Sequence, residues 1–248
     1  MSVQVQERVS SDKREAVENS HAVGEAFDHS VIHSDAYYAH YIANFQPNPQ
    51  KRRLYRFTKR LLDILGSSLL LVLLFPVMLV VGIAVKCDSR GCAIFVQKRV
   101  GKDGKTFNCY KFRTMKADAP RECATALLEN PQKHITRVGR VLRRLSLDEL
   151  PQLWCVLVGT MSLIGYRPLV PSETECNGMR SQLGVFSFRP GISGYAQVHG
   201  RDDVYYKNKA ILDAQYVKMA SLWLDVKLAL QTVAVVIRCE GNHEEKIR

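Results

Sequence analysis

Hydrophobic and polar positions follow a different rhythm in each part of the chain. Residues 1–50 are polar, rich in Ser, His, Glu and Val, and show no sustained apolar period. Only Tyr37 to Phe45 (YYAHYIANF) breaks that pattern, and Pro47 and Pro49 follow it. Such a stretch predicts a mobile polar tail. A long uncharged run comes next: 22 residues lie between Asp63 and Lys86, ILGSSLLLVLLFPVMLVVGIAV, without one charge. As a helix it would span roughly 33 Å at 1.5 Å per residue, against a hydrocarbon core of about 30 Å. A buried helix of a soluble protein normally keeps a polar face, and this one has none, so hydropathy predicts a membrane element. Pro76 sits near its middle, where it removes a backbone donor and predicts a break. Ser67 and Ser68 are placed to satisfy freed backbone groups.

Beyond the apolar run the period shortens to two. Ala93 to Val100 (AIFVQKRV) and Thr106 to Thr114 (TFNCYKFRT) flank Gly101-Lys102-Asp103-Gly104, which predicts a β-hairpin. The alternation puts Phe107, Cys109, Lys111 and Arg113 on one face. Residues 116–134 read as loop with a short helix over Arg121 to Glu129. Ile135 to Leu145 (ITRVGRVLRRL) returns to the helical period, with Ile135, Val138, Val141, Leu142 and Leu145 apolar and four arginines on the rest. A second helix is predicted from about Asp148 through Leu157, then loop over 159–194. Two more helices follow, Lys207 to Met219 and Leu222 to Arg238. The last is apolar but interrupted by Asp225 and Lys227, which predicts a packed or interfacial helix.

Charge sharpens this picture. The chain carries 35 Lys+Arg against 24 Asp+Glu in 248 residues, but residues 1–50 are net −4 and the remainder net +15. A body that basic calls for an anionic partner: nucleic acid, anionic lipid or phosphorylated substrate. No helix-turn-helix, RNP or finger motif supports nucleic acid. Lys51, Arg52, Arg53, Arg56, Lys59 and Arg60 precede the apolar run, and Lys86, Arg90, Lys98, Arg99, Lys102 and Lys105 follow it. Basic flanks at both ends are best satisfied if both are cytoplasmic, so a helix that enters and returns through one leaflet is expected. The seven cysteines are scattered, with no Cys-x-x-Cys, which argues against structural zinc and for free thiols in a reducing compartment. No basic stretch followed by an apolar one opens the chain, so no secretory leader is expected.

Candidate chemistry concentrates at Arg143-Arg144-Leu145-Ser146-Leu147-Asp148-Glu149-Leu150-Pro151-Gln152. Ser146 and Glu149 have the spacing of a capping box, and Pro151 suits a first helical turn. The same residues also make an anion site, with adjacent carboxylates able to serve as nucleophile and as ligand for a hard divalent cation. Lys111-Phe112-Arg113-Thr114-Met115 offers cations on a strand. Met161 to Pro168 (MSLIGYRP) presents Arg167 rigidly before a proline. Arg189 to Arg201 (RPGISGYAQVHGR) is a glycine-bearing loop. A non-enzymatic, membrane-anchored basic adaptor for anionic lipid is the alternative reading, but it gives no reason for Asp148-Glu149 to lie among arginines.

Taken in order, the apolar helix with its proline, KFRTM, LRRLSLDELPQL, MSLIGYRP and RPGISGYAQVHGR resemble the bacterial sugar transferase family, the monotopic phosphoglycosyl transferases, over roughly residues 54–240. The resemblance implies an α+β fold: a mostly helical membrane-associated domain with a re-entrant broken helix and a small β-hairpin. The chain then divides into a tail (1–50) that is not part of the family pattern, a membrane segment (51–90), a cytoplasmic catalytic domain (91–240) and a C-terminal tail (241–248). The resemblance also implies transfer of a sugar-1-phosphate from a nucleotide sugar, usually a UDP-sugar, to polyprenyl phosphate at the bacterial inner membrane. UMP is the other product, and Mg²⁺ the cofactor. On this resemblance Asp148 is the nucleophile, and Asp148 and Glu149 hold the metal. Lys111, Arg113, Arg143, Arg167 and Arg201 bind substrate phosphates, and Pro76 breaks the membrane helix. The chain departs from the family pattern at Tyr166, where Pro is usual, at Cys155 and at Tyr195. Tyr166 is expected to reposition Arg167.

Overall fold

A computed structural model of the chain describes residues 42, 45, 53–116, 119, 131–199 and 206–237. These all belong to a compact unit, Tyr41–Arg248. The two predicted tails and the short helix expected over 121–129 lie outside the described residues, apart from residues 42 and 45. The fold is mostly helical with a small antiparallel hairpin, as the sequence predicts.

Helix α1 (Arg53–Asp88) is a single 36-residue segment with Pro76 inside it. Helical structure therefore continues on both sides of the proline and is not interrupted there. Proline deletes one backbone donor, and flanking turns can carry a helix past that loss. The first third of α1 is tied to the body by polar contacts. Tyr55 and Lys59 both donate to Asp225, at 2.8 and 2.9 Å. Arg60 donates to the carbonyls of Val156 and Leu157, at 2.6 and 2.8 Å. Asp63 accepts from the Ser162 hydroxyl and the Leu163 amide, at 3.0 and 2.9 Å. The last third returns to the same body: Val81 and Val85 pack with Phe112 and Leu142, and Asp88 accepts from the Val138 amide at 3.1 Å. Between these anchorages Leu69, Val72, Leu73, Phe75, Leu79 and Val80 are exposed.

Strands β1 (Ile94–Val100) and β2 (Thr106–Phe112) pair antiparallel, with Phe95 opposite Lys111 and Gln97 opposite Cys109. Asp103 and Gly104 both have positive φ, 57° and 71°, as a tight Asp-Gly hairpin turn requires. Beyond β2, Met115 bridges to Ile135. Helix α2 (Arg137–Arg144) then starts at Thr136, whose hydroxyl accepts from the Gly139 amide at 2.9 Å. Of the predicted apolar stripe, Ile135 and Leu142 are buried, whereas Val141 and Leu145 stay exposed. Gly139 lies directly on the Thr114 backbone, and a Cβ there would collide with the Thr114 carbonyl. Gly139→Ala is therefore expected to destabilise by about 1–3 kcal/mol, since backbone has to move. Chemical denaturation of the two proteins checks it.

Helix α3 (Gln152–Val158) is followed by β3 (Ser162–Ile164), α4 (Thr174–Gln182) and β4 (Gly191–Ser193). β3 and β4 pair parallel. The sequence pattern predicts loop over this region, and the structure corrects it. The two strands span three residues each and exist only through distant pairing. Helix α4 hides its packing in a polar residue, because its buried positions are Cys176 and Arg180. The fold ends with α5 (Tyr195–His199), α6 (Tyr206–Met219) and α7 (Leu222–Ile237). Ile164, Tyr166, Leu183, Val185, Ala210, Ala214, Tyr216 and Leu228 belong to the main core beneath them. Asp225, which interrupts the apolar pattern of α7, points inward to Tyr216 and Tyr55.

Candidate active site

The hairpin, α2 and the loop after β3 converge on Asp148 and Glu149. These two residues belong to a 3₁₀ turn, Leu147–Glu149, which follows Ser146 in the left-handed region (φ 55°). The predicted capping box is not formed: Ser146 makes no side-chain cap, and the helix begins later, at Gln152. The reason is that the Glu149 carboxylate is held elsewhere. Lys111 from β2 donates to its Oε1 at 2.6 Å, and Arg167 approaches the same oxygen at 3.1 Å. Burial alone would push the Glu149 carboxyl up, but the Arg167 and Lys111 charges and hydrogen bonds outweigh it and hold it down at about 2.

Asp148 has the opposite balance. It is 8% exposed, and its Oδ1 is buried with no hydrogen-bond partner among the described residues. Burial raises its pKa, as does the neighbouring Glu149 charge, against the lowering effects of Lys111, Arg143 and Arg167. The helix predicted from about Asp148 begins four residues later, at Gln152, so no α-helix N-terminus favours an ionised Asp148. An unpaired buried carboxylate oxygen is costly and calls for an explanation. Such an oxygen has the chemistry to accept a hydrogen bond, to ligate a cation or to act as a nucleophile.

Cations surround the pair. Arg143 donates through Nε to the Thr114 hydroxyl at 2.9 Å, and its charge reaches Asp148. Arg167 does reach the site despite Tyr166. The Tyr166 ring is fully buried, edge-on to Phe186 and beneath the Arg180 guanidinium. Arg180 in turn donates to the Arg167 carbonyl at 2.9 Å and pairs with Asp213, both fully buried. So Tyr166 serves the core, and the arginine beside it keeps its direction.

Arg113 does not join them. Its two terminal nitrogens donate to the carbonyls of Ser89 and Arg90 just past α1, at 2.7 and 2.8 Å. β2 ends at Phe112, so the alternation that aligned Arg113 with Lys111 no longer applies one residue later. Gly91 (φ 117°) makes room for it, since a Cβ there would run into the guanidinium. Arg113 anchors the end of α1. Arg201 lies outside the described residues.

Three residues absent from the sequence-based set, Arg99, Gln152 and Cys109, line a small cleft with Lys111, Arg167 and Pro168. Arg99 donates to the Pro168 carbonyl at 3.1 Å and to Gln97 at 2.6 Å. A signal for it exists in the hairpin register: Phe95, Gln97 and Arg99 stand directly across from Lys111, Cys109 and Phe107. Burial pushes the Cys109 thiol up to about 11, so it is inert wall and not a nucleophile. As for a metal, no group of three or more acidic, His or Cys side chains gathers among the described residues. An all-protein cage is thus absent there, but the open Asp148 oxygen beside a second carboxylate fits a cation completed by substrate oxygens, the way Mg²⁺ is usually held.

Two carboxylates, one clamped and one open, lie among Lys111, Arg99, Arg143 and Arg167, a cationic setting with the chemistry to receive an anion. Comparison with known proteins places the chain in a family. The profile of the bacterial sugar transferases matches residues 54–239. The undecaprenyl-phosphate galactose phosphotransferase of Salmonella typhimurium is 39% identical over 212 residues, 79% of this chain and 44% of that protein. The UDP-galactose-lipid carrier transferase of Erwinia amylovora is 36% identical over 202 residues, 76% of this chain and 42% of its own length. The exopolysaccharide production protein ExoY of Rhizobium meliloti is 37% identical over 202 residues, 75% of this chain and 88% of ExoY. The chain thus spans under half of the first two relatives and nearly all of the third. The chain belongs to the bacterial sugar transferase family.

Proposed function

We propose that this protein transfers a sugar-1-phosphate from a UDP-sugar to undecaprenyl phosphate, releasing UMP, as the first membrane step of surface polysaccharide assembly. The observation that carries the reading is the buried Asp148 oxygen without a partner among the described residues, next to a glutamate fixed by Lys111 and Arg167. In this mechanism an Asp148 carboxylate oxygen attacks the phosphorus that bears the sugar. The bond from that phosphorus to the bridging oxygen breaks, and UMP leaves with the electron pair. An oxygen of the lipid phosphate then attacks the same phosphorus, which frees Asp148 and forms the polyprenyl diphosphate sugar. Lys111 and Arg167 orient Glu149, and with Arg99 and Arg143 they offset the charge of the incoming phosphates. Mg²⁺, held by Asp148 and Glu149 with substrate oxygens, would neutralise diphosphate charge. The raised pKa of Asp148 makes its carboxylate more basic and so a stronger nucleophile once ionised.

The same pKa directions set a pH dependence. Glu149 stays ionised down to about pH 2, so the acid limb of kcat/KM is assigned to Asp148. Because Lys111 lowers the Asp148 pKa, Lys111→Met is expected to move that limb to higher pH. A pH–rate profile of the two proteins reads the shift.

A membrane location on the cytoplasmic face is supported by α1, whose two ends rest on one body while its apolar middle faces outward. A helix crossing the bilayer would carry its far end away from that body, so we read α1 as re-entrant, bent at Pro76 while staying helical on both sides. The exposed stripe Trp223, Val226, Leu230 and Val233 on α7 suits the interface beside it. Cysteines introduced before and after α1 are expected to resist a membrane-impermeant thiol reagent in intact cells; labelling at either end would refute re-entry. The activity itself is tested by UMP release with undecaprenyl phosphate, Mg²⁺ and several UDP-sugars. The relatives' names mention galactose, glucose and N-acetylgalactosamine, which makes these the first donors to try. UMP release from one donor, dependent on the lipid, is expected; none from any donor would count against the reading.

A further inference from the structure

A second cluster of cations lies at the other end of α3. Gln152, the first residue of that helix, lines the cleft beside Glu149. At its far end, Arg60 donates to the Val156 and Leu157 carbonyls, and Arg189 donates through Nε to the Gly159 carbonyl at 2.7 Å. The seven residues of α3 put about 10 Å between these ends. Arg60 and Arg189 are close enough to repel one another. With Arg56, Lys59 and Lys102 they line an open cleft of about 60 Å³, whose wall also holds Phe188 and a single carboxylate, Asp63. No lining residue is shared with the cleft at Glu149.

The five cations come from separate pieces of chain: α1, the hairpin turn, and the segment before β4. Lys59 is neutralised by Asp225 at 2.9 Å. Arg56, Arg60 and Arg189 form no ion pair among the described residues, and Asp63 is occupied by Ser162 and Leu163. Arg56 lies over the Phe188 ring, 5.4 Å from its centre. Arg189 keeps both terminal nitrogens without a partner among the described residues. Gathering like charges at one spot is unfavourable unless an anion joins them. The position says which anion. Arg56 to Arg60 lie within the two helical turns that precede the uncharged run at Ile64, level with lipid headgroups if α1 is in a membrane.

We propose that this cleft is a phosphate site for an anionic membrane lipid, separate from the Asp148–Glu149 centre. Arg189 and Arg56 supply the forked donors that suit a phosphate, and Lys102 adds an ammonium from the hairpin turn. The inference needs α1 at a membrane surface but not the transfer chemistry, so loss of either leaves the other standing.

The test uses the full chain in a neutral detergent, titrated with dihexanoyl-phosphatidylglycerol and, as a zwitterionic control, dihexanoyl-phosphatidylcholine. Arg56→Ala/Lys102→Ala is the informative variant, because both side chains are exposed and Lys102 has only a 3.7 Å pair with Asp103. Its affinity for the anionic lipid is expected to fall at least tenfold with an unchanged melting temperature, while Lys111→Ala stays within twofold of the parent. Failure of inorganic phosphate to displace the lipid is expected, since the site is assigned to a lipid-borne phosphate; ready displacement would assign it to free phosphate instead. Equal affinity in the Arg56/Lys102 variant, equal binding of the zwitterion, or loss in Lys111→Ala instead, would overturn the proposal.

Discussion

Asp148→Asn is expected to reduce sugar-phosphate transfer on the order of 10⁴-fold or more, because it removes the attacking group while keeping its shape. An amide oxygen is neutral and a poor nucleophile toward phosphorus. No neighbouring group can take over the attack: Glu149 is held by Lys111 and Arg167, and Cys109 is protonated at neutral pH. The same substitution carries a second signature, in stability. Burial raises the Asp148 pKa in the folded protein, so the ionised carboxylate works against folding. That penalty is complete above the folded pKa and fades as pH falls below it, so it is present at neutral pH. A neutral Asn removes it. The variant is therefore expected to melt no lower than the parent at neutral pH. An Asp148 kept for folding would give the reverse, a lower melting temperature with transfer retained.

Arg180→Met is expected to have the largest effect on stability, a loss of about 3–5 kcal/mol, because it leaves Asp213 buried without its partner. For a chain of this size that corresponds to a fall in melting temperature of roughly 6–20 °C. Arg180 also donates to the Arg167 carbonyl and lies over the Tyr166 ring, so transfer should fall as well. Arg180→Met/Asp213→Leu separates the two effects. Removing both charges is expected to restore most of the stability, but the tether to Arg167 remains absent and activity stays low. Recovery of full activity in the double variant would show that Arg180 does not position Arg167. Thermal melts and initial rates on the three proteins read both outcomes.

Much of the fold is legible in the sequence because its signals are local. The uncharged run, the Asp-Gly turn between alternating strands, and the helical period of residues 206–237 each specify an element without help from distant chain. What escapes is non-local. β3 and β4 pair across more than twenty residues, and three-residue strands leave no periodic trace. Helix α4 packs through Arg180, a residue that patterning assigns to solvent, and its burial is made tolerable by Asp213 on α6 together with the Arg167 carbonyl.

The candidate site is legible in part for the same reason. Asp148 and Glu149 stand out by their place among arginines, and the structure brings Lys111, Arg143 and Arg167 to them. The capping-box spacing of Ser146 and Glu149 misleads, because tertiary ion pairs outcompete a local cap for the same carboxylate. Arg113 misleads because strand alternation stops at Phe112. Arg99 has a signal in its strand register, but register is fixed only once the hairpin is paired.

The most direct test of the account is the mass of the protein after incubation with its UDP-sugar and Mg²⁺ in the absence of lipid. One sugar-phosphate added per chain is expected, carried on the peptide that contains Asp148, with an equal amount of UMP released and no adduct in Asp148→Asn. UMP released only when lipid is present, with no adduct on the protein, or an adduct on a different residue, would contradict it.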